Sequence, residues 1–121
     1  MGNDILQKIR QRATKGANLV KACNSMSKER ALAALKDDAD REHADSPHYK
    51  GHFDGYRLGR VTRTTRGKSG TSFEKGDLCI FKDFVPFDEH DRREFPNHVV
   101  AYSPRTGNDT ILSKSDVKEE P

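Results

Sequence analysis

The chain has 121 residues, 32% hydrophobic and 34% charged, with 22 Lys and Arg against 19 Asp and Glu, which suits one domain around a small core. No apolar run approaches the ~20 residues of a membrane span and the amino terminus lacks a signal-peptide core, so a cytoplasmic protein without membrane contact is expected. Ile, Leu, Val and Phe total only 23 residues; at a net charge of just +3 this composition favours a folded unit with loose ends over disorder.

The net charge conceals blocks of alternating sign. Residues 1–36 carry +6, 37–54 carry −4, 55–73 carry +5 and 74–121 carry −4. Such blocks either neutralise one another in the fold or offer separate surfaces to separate partners. Met1-Gly2 opens like an N-myristoylation signal, but Leu6 stands where Ser or Thr is required, so no lipid anchor is expected.

In residues 1–45 the spacing predicts a helical hairpin. Leu6, Ile9, Ala13, Ala17, Val20 and Cys23 recur on one helical face, with Asn3 or Asp4 as cap and Gly16 as a weak point. A second helix starts from Ser27 as N-cap, with Met26 stapled against Ala31, and continues its apolar face through Leu32, Leu35 and Ala39. Asp37, Asp38, Asp40, Glu42 and Asp45 crowd its carboxyl end against the helix dipole, and Pro47 forces a stop, so fraying is expected there. Residues 46–55 read as a polar, His-rich linker.

From Tyr56 to Val117 the texture is β, with residues 118–121 a loose tail. Tyr56 and Leu58 alternate, Gly59 permits a bulge, and Val61 to Thr65 favour an extended chain before the turn Gly67-Lys68-Ser69-Gly70. Leu78-Cys79-Ile80-Phe81 is the candidate central strand, buried on both faces. Phe84 to Asn97 reads as a long irregular loop, and residues 98–102 and 110–113 as a hairpin. The fold class is therefore α+β, a helical hairpin followed by a small, strongly curled antiparallel sheet. Phe73-Glu74-Lys75-Gly76-Asp77-Leu78 with the terminal hairpin resembles an SH3-like barrel over about half the chain. That resemblance implies a closed sheet and identifies no function.

Three surfaces carry chemistry. Arg57, Arg60, Arg63, Arg66 and Lys68 fall within 12 residues beside Tyr56, a combination that suits nucleic-acid phosphates and stacked bases, although strand alternation divides the arginines between two faces. Asp88, Glu89, Asp91 and Glu94, flanked by Phe87 and Phe95, form an acidic loop suited to a protein partner. His43, His48 and His52 with Asp54 are metal-ligand types without a firm zinc spacing, so no metal is assigned.

Catalytic signals are weaker. Cys23 and Cys79 read as reduced core thiols, and a Cys79–His98 pair is the only nucleophile arrangement in view. Gly67-Lys68-Ser69 echoes the end of a phosphate loop, but Thr62 stands where Gly is required, so no nucleotide cofactor or small-molecule substrate is expected. The leading expectation is a non-enzymatic protein that binds DNA or RNA phosphates through the arginines. The alternative is a regulator or inhibitor docking on a larger protein through the acidic loop and helices, and a metal-dependent hydrolase ranks third.

Overall fold

The computed structural model describes residues 2–121. Helix α1 (Gly2–Cys23) and helix α2 (Lys28–Glu42) run back against each other, so the predicted hairpin forms. Because α1 already begins at Gly2, neither Asn3 nor Asp4 is its cap, and Asp4 lies in the first turn, where the dipole favours it. Its apolar stripe engages from the carboxyl end: Val20 and Cys23 are buried, whereas Leu6 remains 52% exposed. Ser27 caps α2 as expected, accepting from the Arg30 N–H at 3.3 Å. Ala31, Leu35 and Ala39 form the buried face of α2.

The acidic end of α2 does not fray before Glu42. Asp38, 7% exposed, and Glu42 both accept hydrogen bonds from Arg12 of α1, which neutralises carboxylates that sequence alone left unpartnered. Residues 46–55 likewise depart from a linker. Phe53 is fully buried, with the Tyr56 ring at 5.1 Å and the Tyr102 ring at 5.4 Å, while His43 stacks on Tyr49 at 4.2 Å. The segment is an aromatic joint between helices and sheet.

Seven strands follow: β1 (Arg57–Val61), β2 (Thr65–Gly67), β3 (Gly70–Phe73), β4 (Leu78–Asp83), β5 (His98–Ser103), β6 (Asn108–Ser113) and β7 (Val117–Glu119). Five form an antiparallel sheet in the order β6-β5-β4-β1-β7, and β2 pairs with β3 as a separate ribbon. Central β4 is buried on both faces, as its apolar run predicts. Leu78 and Ile80 join Leu58, Tyr102 and the helices in one cluster, and Cys79 and Phe81 join Val61, Phe73, Val99 and Leu112 in the other. Two thin cores share one sheet, which is how 32% hydrophobic residues suffice.

Gly59 makes no bulge. It keeps regular register with Cys79 and Glu119, and its lack of a side chain is required because a Cβ there would stand 2.7 Å from the Phe81 ring and 2.8 Å from Val117. The sheet is open, with β6 and β7 as its edges, so the closed barrel is not formed. The loop before β5 is not wholly irregular: Glu89–Glu94 forms helix α3. The tail is also more ordered than expected. Lys118 and Glu119 belong to β7, and the Glu120 N–H donates to Leu58 O at 3.0 Å. Among the described residues, no helix is long and apolar enough to cross a membrane.

Candidate binding groove

The structure divides the basic stretch. Arg57 lies over the Phe81 ring at 4.8 Å and donates to Glu119 at 3.0 Å, with Asp83 at 3.6 Å. Arg60 reaches the other face, donating to Glu120 at 2.6 Å, to Gly76 O at 2.7 Å and to Asn24 at 3.3 Å. These two pair within the fold, tying sheet edge, turn and helical hairpin together, while their side chains stay 43% and 42% exposed. Tyr56 is corrected as a stacking residue. It is 2% exposed, and its hydroxyl donates to the Asp109 carboxylate at 3.0 Å, so its ring offers no stacking face.

The remaining cations stay together. Arg63, Arg66 and Lys68 line one wall of a groove of about 580 Å³, and the whole of β6 lines the other. Arg63 reaches Asp116 at 3.3 Å and is otherwise exposed. Arg66 and Lys68 are exposed and have no carboxylate partner among the described residues. Phe95 and His98 lie at one end, and Thr106 and Asn108 at the other. Thr65 Oγ1, also of the cationic wall, is a buried hydroxyl without a hydrogen-bond partner. Gly67-Lys68-Ser69-Gly70 is the tip of the β2–β3 ribbon, with Gly70 at φ 104°, and no helix follows it as a phosphate loop requires.

The acidic loop spends most of its charge on itself. Asp88 caps α3 by accepting from the Asp91 N–H at 2.9 Å, Asp91 accepts from the Phe87 N–H at 3.1 Å, and Glu89 pairs with Arg92 at 3.1 Å. Glu94 is exposed. Only one aromatic end anchors the loop: Phe95 packs on Phe84 and His98 at 5.4 Å each, whereas Phe87 is 92% exposed.

The histidines also find protein partners. His43 Nε2 lies 2.9 Å from Gly107 O, His52 Nε2 lies 3.0 Å from Asp109, and His48 is exposed. Among the described residues no three His, Cys, Asp or Glu side chains converge on a metal position. Cys79 and His98 do not meet. Asp83 pairs with Val99 in the β4–β5 register, which puts His98 about 17 Å along the sheet from Cys79. Burial also pushes the Cys79 thiol up to about 12, with Asp77 adding to the shift.

Two phenols lock the helical side. Burial, then Asp109, pushes Tyr56 well above the usual range, and burial and Asp38 do the same to Tyr102. Below the ordinary tyrosine value of about 10 both folded and unfolded chains keep these protons, so stability is unaffected. Above it the unfolded chain releases them while the folded one holds them, and stability falls as pH rises. Urea melts on either side of about pH 10 are expected to show this fall, reduced in Tyr56→Phe. An unchanged midpoint would contradict it.

Comparison of the chain with protein-family models, curated proteins and solved structures gives no match, which leaves the geometry of the groove to carry the functional reading.

Proposed function

We propose that the protein is a non-enzymatic binding module that docks on a larger protein by taking an extended acidic segment of it into the groove between β2 and β6. One observation carries this reading: unpaired Arg66 and Lys68 face, across the groove, the unpartnered edge of a main-chain ladder. Cations on one wall select negative charge, and a free strand edge selects a polypeptide over a nucleic acid. The ion pairs of Arg57 and Arg60 and the burial of Tyr56 leave three of the five cations, and no stacking ring, to meet a run of phosphates. The acidic loop keeps the lesser role of a rim, since its carboxylates cap and pair locally. The order of elements supports reading the β unit as an open relative of SH3-like sheets: a ribbon follows the first strand and a short 3-10 turn precedes the last.

The test uses a fluorescent synthetic peptide of alternating Glu and Val, with poly(A) RNA as competitor. The peptide is expected to bind, and Arg66→Glu/Lys68→Glu to weaken it about 10-fold or more through reversed charge in the groove. Arg93→Glu, on exposed α3 outside the groove, is expected to leave the affinity unchanged. Tight RNA binding with a steep salt dependence, lost in the double variant while the peptide fails to bind, would overturn the protein reading and restore nucleic acid as the partner.

A further inference from the structure

We infer that the acidic segment binds by strand addition, as an extra strand hydrogen-bonded main chain to main chain along β6. The inference rests on the proposed groove and specifies how its occupant is held. The two edges of the five-stranded sheet differ in kind. Strand β7 is three residues long, carries exposed Lys118 and Glu119, and leads to Pro121; short length, charge and proline are the usual devices that stop edge-to-edge pairing. Strand β6 has neither the short length nor the proline, and no exposed charge among its side chains. It runs for six residues, Asn108–Ser113, without Lys, Arg or Pro, and exposes Ile111 at 39%. Its one charged side chain, Asp109, is turned to Tyr56 and His52.

Every residue of β6 pairs with β5 on one side only. Half of its N–H and C=O groups therefore point away from that partner and into the groove region. The opposite wall is an edge too, since β2 pairs only with β3. The unpartnered Thr65 hydroxyl belongs to the wall across the groove from β6. Side chains of an added strand alternate in direction. A sequence with acid at every second position therefore puts one row of carboxylates on one face, within reach of the exposed Arg66 and Lys68, and an intervening apolar row on the other, where β6 exposes Ile111. The occupant is accordingly an extended segment of alternating acidic and β-branched residues, with a length matched to the six residues of β6.

Two versions of the Glu-Val peptide, N-methylated at alternate residues in opposite phase, test this on the unaltered protein. One phase removes the N–H groups that meet β6 and is expected to bind at least about 10-fold more weakly, while the other retains them and binds far better than its counterpart. Bound peptide is also expected to slow hydrogen exchange of the outward-facing β6 amides about 10-fold or more. If both methylated peptides bind like the parent and β6 amides exchange unchanged, the segment is held by side chains alone and strand addition is wrong. If the parent peptide does not bind at all, the groove reading has failed first, and with it this one.

Discussion

Replacing Arg12 by Ala is expected to cost about 3–5 kcal/mol of folding stability, the usual range for stripping the partner from a buried charge. Arg12 donates to Asp38, to Glu42 at 3.1 Å, to the Tyr102 hydroxyl at 3.2 Å and to Pro104 O at 2.7 Å. Those four acceptors come from α2, β5 and the β5–β6 turn, so one side chain joins helical hairpin and sheet. Its own side chain is 10% exposed and that of Asp38 7%, too little water to solvate a carboxylate left alone. Tyr102, which donates to Asp38 at 2.8 Å, would remain as its single partner. The paired variant Arg12→Met/Asp38→Leu is expected to recover only part of the loss, because no buried charge is then orphaned but the buried Tyr102 hydroxyl loses both its partners. Urea denaturation of the single and double variants measures both. A cost below about 1 kcal/mol for Arg12→Ala would place this pair among surface ion pairs.

Gly16→Ala is expected to destabilise the protein although the substitution adds helix propensity. In an exposed helix the exchange stabilises by about 1 kcal/mol. Here a Cβ would overlap the Pro104 carbonyl, with Arg105 N behind it, so backbone meets backbone and neither can rotate aside. Overpacking of this kind costs roughly 1–3 kcal/mol, and more when main chain must move. The displaced turn also carries the Arg12 and Gly107 contacts, so the losses are coupled. A melting temperature several degrees below that of the parent is the expected result; Gly55→Ala, with nothing within 4 Å of its added Cβ, is the matched control. A Gly16→Ala protein that melts at or above the parent temperature would mean the helix does not press on the turn.

Local patterns were legible and long-range partnerships were not. The α1 and α2 stripes, the Ser27 cap and the doubly buried run Leu78 to Phe81 each depend on neighbours within a turn or a strand, and periodicity reports such relations directly. Gly16 reads as a weakness in sequence because propensity scores only the helix, whereas its value lies in contact with Pro104, 88 positions away. The carboxylates of α2 looked repulsive for the same reason, since Arg12 arrives from another helix. In the acidic loop a local signal was present: Asp88 with Asp91 three residues on is a capping pattern, and it accounts for two of the four carboxylates. As for the groove, the cations were legible as a charge block, and strand alternation already divided Arg57 from Arg60. Its second wall was not, because nothing local to residues 63–69 indicates that 108–113 lies opposite.

The central claim is that one groove receives the partner, and the most direct measurement is a residue-by-residue map of backbone amide shifts as the Glu-Val peptide is added. Shifts are predicted to concentrate in residues 63–69 and 108–113, with Phe95 and His98 at the end of the groove moving less. Shifts confined to the exposed basic residues of α1, such as Lys8, Arg10 and Lys15, or to α3, with 63–69 and 108–113 unmoved, would contradict the account.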